Sequence, residues 1–174
     1  MRFFPTELAG ACIVEPEELD DDRGFFARTF CAREFATHGL AAEFVQCSIS
    51  VNRRRGTVRG LHYQVSPACE AKLVRCTAGA LYDVIVDLRP ESPTYRHHLG
   101  VELTARNRRA LYVPAMFAHG LQTLEDDTEV LYQISEYYAP GQATGLRFDD
   151  PSLGIRWPLP VGAISEKDRN WPLL

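Results

Sequence analysis

Short runs of alternating apolar and polar residues recur along most of this chain. Phe44 to Val51, Thr57 to Tyr63, Lys72 to Thr77, Ala80 to Leu88, Tyr95 to Leu103, Ala110 to Val113, Gly120 to Leu124 and Glu129 to Tyr137 are rich in β-branched or aromatic residues and read as strands. Turn signals separate them at Ala78-Gly79, Pro90-Glu91-Ser92-Pro93, Ala105-Arg106-Asn107 and Glu125-Asp126-Asp127. A helical repeat is sustained only over Ala32 to His38, with Gly39 closing it. Many strands without intervening helices predict an all-β antiparallel sandwich, jelly roll or barrel.

One strand is unusual within that pattern. In Ala80 to Leu88, the period of two puts Leu81, Asp83, Ile85 and Asp87 on one face and Tyr82, Val84, Val86 and Leu88 on the other. Carboxylates on an inward face need partners. Arg89 can supply one to Asp87 as an ion pair at the strand end, whereas Asp83, in mid-strand, needs a role or a cation nearby.

At 174 residues the chain suits one domain spanning 1–174, and no linker, repeat or low-complexity segment divides it. The Pro-rich segment 155–174, with Trp157-Pro158-Leu159-Pro160 and Trp171-Pro172, reads as an irregular arm on the domain surface. A composition of 45% hydrophobic and 24% charged residues is that of an ordinary globular protein. The net charge of -4 argues against a general nucleic-acid binder, and the Arg53-Arg54-Arg55 run reads as a solvated loop. No apolar run reaches the roughly 20 residues a membrane helix needs, and Met1-Arg2-Phe3-Phe4-Pro5 lacks a signal-peptide core, so a cytoplasmic location is expected. The cysteines, 5 in number, form no C-x-x-C pair and suggest neither a disulfide framework nor a zinc ribbon.

Chemistry concentrates in Arg59-Gly60-Leu61-His62-Tyr63-Gln64, followed by Lys72. A histidine, with an unperturbed pKa of about 6.5, suits a general base, and a carboxylate on its other nitrogen would fix the tautomer. The bland alternative for His62 is a packed strand histidine; the neighbouring Arg59, Gln64 and Lys72 favour a ligand site, since burying so many polar groups together is costly. Tyr132, in an apolar strand, is either a core tyrosine or an acid facing His62. His119 with His62 raises a metal site, but the H-x-H spacing with a nearby glutamate is absent, and Gln64 stands two residues after His62. No metal is expected.

Several spaced motifs together resemble the dTDP-4-dehydrorhamnose 3,5-epimerase family. They are Asp22-Arg23-Gly24-Phe25-Phe26, Arg59 to Gln64, Lys72-Leu73-Val74-Arg75, Asp83 to Arg89, Pro114-Ala115-Met116-Phe117-Ala118-His119-Gly120, Tyr137-Tyr138-Ala139-Pro140, Asp149-Asp150-Pro151, Ile155-Arg156-Trp157-Pro158 and Ser165-Glu166-Lys167-Asp168. The resemblance implies a cupin-type jelly roll, or double-stranded β-helix, with short flanking helices. It also implies a homodimer exchanging N-terminal strands and a reaction without metal or organic cofactor. By the same resemblance His62 is the base, Asp168 the carboxylate orienting it, Tyr132 the acid and Lys72 the cation beside the enolate oxygen. Arg59 and His119 match pocket positions near sugar and phosphates, Gln46 and Tyr138 positions near the nucleotide, and Arg23 a diphosphate contact from the exchanged strand. Lys167, beside Asp168, joins the substrate-binding set.

Departures from the family pattern fall on the nucleotide side. Gln46-Cys47-Ser48 replaces Gln-Asp-Asn, Arg28 replaces a glutamate, and Gly141-Gln142-Ala143-Thr144 replaces acidic residues. Ser48 and Arg28 thereby become substrate-binding candidates, and CDP becomes an alternative carrier to dTDP, with Arg28 meeting cytosine. A mono-epimerase acting at C3 or C5, a non-catalytic sugar-nucleotide binding module and a metal-dependent cupin are the other readings. Retention of His62, Tyr132, Lys72 and Asp168 together speaks against the binding module.

Overall fold

The computed structural model describes residues Met1–Leu174. Two antiparallel sheets face each other. The first runs β1 (Arg2–Pro5), β2 (Cys12–Glu15), β10 (Ala110–Val113), β7 (Lys72–Ala78), β12 (Thr128–Ile134), β5 (Gln46–Asn52) in spatial order. The second runs β13 (Ala143–Gly145), β6 (Val58–Gln64), β11 (Phe117–Thr123), β8 (Ala80–Asp87), β9 (His98–Thr104). Neighbours that are distant in sequence make this a jelly roll rather than a meander. A hairpin of β3 (Glu18–Asp21) and β4 (Gly24–Ala27) pairs with neither sheet.

The period of two in each strand decides what fills the space between the sheets. Leu81, Ile85, Val101, Leu103 and Leu121 from one sheet meet Val74, Cys76, Leu111 and Val130 from the other. The alternate residues of β8, Val84 and Val86, point outward and are covered by Leu146, Leu153 and Trp157. Outside the first sheet, Phe35 of α1 (Ala32–Thr37) packs on Val14, Leu73 and Tyr112 with Phe3, Phe30 and Phe44 around it. α1 ends as expected: Gly39 adopts φ 69° and donates to the Ala36 carbonyl at 3.0 Å.

Asp87 is fully buried and paired with Arg89 at 2.7 Å, as the sequence pattern indicates, and it also accepts from Ser92 (2.5 Å) and Thr94 (2.7 Å). Burial alone would raise its pKa, but these donors outweigh burial and hold the carboxyl far below the usual carboxylate range. A depressed folded pKa means stabilisation that is complete above the unfolded carboxyl's value, about 4, and lost as pH falls below it. Asp87→Asn should therefore lower the melting temperature at pH 7 and flatten its decline between pH 5 and pH 2. An unchanged acid limb would contradict that role.

The interior strands match their sequence pattern, and the differences lie at the edges. Strand β9 starts at His98 rather than Tyr95, because Thr94 to His97 close a turn; β11 starts earlier, at Phe117, after Met116 turns the chain at φ 64°. β12 stops at Ile134 as the chain leaves the sheet. The arm at 155–174 is not wholly irregular: it contains α2 (Glu166–Arg169), started by Ser165, whose Oγ accepts the Asp168 N–H at 3.0 Å. The arm is also tied down, with Gly162 N–H on the Gly56 carbonyl and Val58 N–H on that of Ala163, both at 2.8 Å. No helix is long and apolar enough to cross a membrane.

Candidate active site

Residues from both sheets line a cavity of about 380 Å³. Strands β6 and β11 bring its histidines together. Gly60 (φ 107°) and Gly120 lie so close that a Cβ on Gly60 would sit 2.6 Å from the Gly120 Cα and from the His119 carbonyl oxygen. Only glycine fits at this crossing, and beyond it His62 and His119 are direct cross-strand partners.

Each histidine is held through Nε2 by its own aspartate. His62 Nε2 lies 2.6 Å from Asp168 Oδ1, and His119 Nε2 lies 2.7 Å from Asp83 Oδ1. Asp168 comes from α2, and it also accepts from the Trp171 indole at 3.1 Å and the Gly60 N–H at 3.3 Å. Burial would raise the Asp168 carboxyl, but the His62 hydrogen bond and charge, with the Gly60 and Trp171 donors, outweigh it and hold the carboxyl below its ordinary value. A charged carboxylate takes the Nε2 proton as a hydrogen bond, which leaves the His62 lone pair on Nδ1. Asp83 is fully buried; His119 is the partner its mid-strand position calls for, while its Oδ2 has none.

Lys72 enters from the facing sheet. Its Nζ is 2.8 Å from Glu70 Oε1 and donates to the His62 carbonyl at 3.3 Å. Tyr132, on neighbouring β12, places its hydroxyl 3.2 Å from Ser50 Oγ. This phenol is pushed up to about 12, chiefly by burial, which outweighs the lowering by the Ser50 hydrogen bond; the charge of Asp83 adds to the rise and that of Arg59 opposes it. Arg59 is fixed by Asn52, with Nε donating to Oδ1 at 2.6 Å. Gln46 accepts the Tyr138 N–H at 2.7 Å, which sets that exposed aromatic ring at the mouth, and Lys167 stands over the Trp171 ring at 5.0 Å.

The cavity wall thus gathers His62, Tyr132, Lys72, Arg59, His119, Gln46, Tyr138 and Lys167, with Asp168 behind His62. Other expected residues lie outside it. Arg23 is at the tip of the β3–β4 hairpin with an 89% exposed side chain, bonded to Asp21. Arg28 pairs with Glu34 at 3.2 Å, and Ser48 shares a face of β5 with Gln46 and Ser50 but does not line the cavity. Gln64 does line the cavity, where it is a brace: its amide bonds Ala68, Tyr137 and Ala139, fixing the loop that carries Tyr138. No group of three or more His, Cys, Asp or Glu is placed to hold a metal ion.

Sequence reasoning missed Glu70, Ser50 and Trp171. Glu70 stands two residues before Lys72, the spacing that puts side chains on one side of an extended chain, and Trp171 follows Asp168 by three, one turn of helix. Those spacings were the available signals. Nothing in the sequence marks Ser50, because its significance arises only from pairing β5 with β12.

The sequence model of the dTDP-4-dehydrorhamnose 3,5-epimerase family matches residues 5–174. The dTDP-4-dehydrorhamnose 3,5-epimerase of Methanothermobacter thermautotrophicus is 46% identical over 98% of this chain and 92% of its own. The crystal structure of the Bacillus anthracis enzyme of that name, with TDP and PPi bound, superposes with a TM-score of 0.96 at 42% identity, covering 99% of each chain. The Legionella pneumophila dTDP-6-deoxy-D-glucose-3,5-epimerase, in complex with dTDP-4-keto-L-rhamnose, gives a TM-score of 0.92 at 36% identity over 99% of this chain and 92% of its own.

Proposed function

Because the chain belongs to the dTDP-4-dehydrorhamnose 3,5-epimerase family, we propose that its cavity inverts C3 and C5 of a dTDP-linked 4-keto-6-deoxyhexose by proton transfer alone, with His62 as base and Tyr132 as acid. The observation that carries this assignment is their placement: His62 on β6 and Tyr132 on β12 stand on different sheets, across one cavity. Inversion needs such opposition, since a proton leaving one face of a carbon must be replaced from the other.

The ketone at C4 acidifies the hydrogens on C3 and C5. His62, with its lone pair on Nδ1 and its ring oriented by Asp168, removes one of them. Negative charge then collects on the C4 oxygen, where the Lys72 ammonium stabilises it without reorganisation. Tyr132 delivers its proton to the opposite face. Arg59 and His119 bind the anionic end of the substrate, and Tyr138 and Gln46 hold the nucleobase at the mouth. The carrier in this reading is dTDP, the nucleotide in the names of the relatives this chain resembles.

Turnover of dTDP-4-keto-6-deoxyglucose in heavy water tests the reaction. The product should carry deuterium at both C3 and C5, at a rate insensitive to EDTA. Label at one carbon only would replace the double epimerase with a mono-epimerase.

The same reading includes a homodimer in the cytoplasm. Phe26 (72% exposed), Leu19 and Phe25 crowd the unpaired hairpin, while Ile49 (63%) and Val51 lie exposed on edge strand β5. Apolar surface on an edge is a liability unless covered. Exchange of hairpins between two chains covers both patches and carries Arg23 toward the partner's cavity. Sedimentation should give about twice the 19.6 kDa chain mass, and Phe26→Asp should shift it toward one chain.

A further inference from the structure

The assignment of Tyr132 leaves open how its proton is managed. A phenol this reluctant to ionise must become a phenolate at every inversion. The Ser50 hydroxyl is the protein group hydrogen-bonded to it, at 3.2 Å, from the adjoining strand β5. Ser50 is half-buried and lines the same cavity.

The direction of that hydrogen bond is set by a third residue. Asn52, buried beneath, has its Oδ1 occupied by the Arg59 guanidinium at 2.6 Å, which fixes the orientation of the amide. Its Nδ2 must then face the Thr128 carbonyl at 3.1 Å and Ser50 Oγ at 3.5 Å. An amide nitrogen only donates. Ser50 Oγ therefore accepts a hydrogen bond from Asn52, and its own hydrogen is free to turn toward Tyr132.

We infer that Ser50 is a positioning residue for the acid: its hydroxyl donates to the Tyr132 oxygen, which leaves the phenol hydrogen free to face the substrate carbon, and the same donation holds the phenolate after transfer. The proton balance follows. The substrate's carbon loses a proton to His62 and gains one from Tyr132. The phenolate, held by the Ser50 hydroxyl, then recovers a proton from solvent while His62 releases one. A second inversion on the same sugar requires this reset, so the Ser50 contact is used twice per product. Burial drives the phenol upward and Ser50 is the strongest influence drawing it back, in keeping with the geometry. A hydrogen bond to a charged partner is worth about a tenfold change in rate or more.

The inference rests on Tyr132 being the acid, and its test separates the two. In heavy water, base and lysine alone exchange the C3 hydrogen of unreacted substrate, because the enolate is reprotonated from the face it came from. Inversion additionally needs the acid. Ser50→Ala should slow inversion about tenfold with KM unchanged, leave exchange within about twofold of wild type, and so raise the ratio of exchange to inversion. Ser50→Thr, which retains the hydroxyl, should restore the ratio, and Tyr132→Phe should raise it further. A parallel loss of both rates in Ser50→Ala, or a wild-type ratio, overturns the role of Ser50 while Tyr132 stands. Undiminished inversion in Tyr132→Phe overturns the acid itself and the inference with it.

Discussion

Replacing His62 by alanine should reduce turnover by about 10² to 10⁴-fold, the usual contribution of a positioned base, with little change in stability. Both clauses follow from the site. The imidazole is half-exposed to the cavity, so its loss creates no closed void. Asp168 keeps its Gly60 and Trp171 donors, so it is not left unsatisfied. The measurement is single-turnover conversion of dTDP-4-keto-6-deoxyglucose beside a denaturant midpoint. Deuterium exchange at C3 and C5 should disappear with turnover, unlike the Ser50 and Tyr132 variants, because removal of the carbon-bound proton itself is lost. Persistence of exchange in His62→Ala would mean that another group is the base.

Lys72→Met should be damaging in two separable ways. The first is chemical: loss of the cation beside the developing enolate oxygen costs about 10² to 10³-fold in kcat, on the scale of removing one oxyanion donor. The second is structural. Glu70 is buried, and without Lys72 its carboxylate retains only the Gln64 N–H at 3.1 Å, a loss of about 3 to 5 kcal/mol for a broken buried pair. The double variant Lys72→Met/Glu70→Gln removes the stranded charge. It should recover most of the stability and none of the turnover. Recovery of both would show that Lys72 serves the fold alone, and recovery of neither would show that Glu70 contributes more than a counter-charge.

Strands of the sandwich interior were legible because burial imposes a clean period: Ala110 to Val113 match to the residue, and the split of β8 into two faces is reproduced by the two clusters it feeds. The N-terminal strands were not legible from pattern. Glu18 to Asp21 are exposed at every position and acidic at three, so no inward face exists to generate alternation. Only the resemblance placed exchanged strands there. A similar division holds for the site. His62, Lys72 and Arg59 are close in sequence and unusual in type, so composition alone flags them. Asp168 and Tyr132 meet them through topology: strand context left Tyr132 open between a core tyrosine and an acid, and only the family resemblance gave Asp168 a role. Glu70 and Ser50 were invisible to either route, since an acid near a lysine and a serine on a strand are commonplace until pairing defines their neighbours.

The arm has a temporal consequence. Every strand of the barrel is complete by Gly145, yet the carboxylate proposed to orient the base is residue 168, on an arm whose Gly162 and Ala163 are hydrogen-bonded beside the start of β6. A chain emerging from the ribosome can therefore close its sheets, and even present His62, Lys72 and Tyr132 to a cavity, while the base still lacks its orienting partner. In the proposed mechanism the docking of α2 is therefore the step that gives the base its orienting carboxylate.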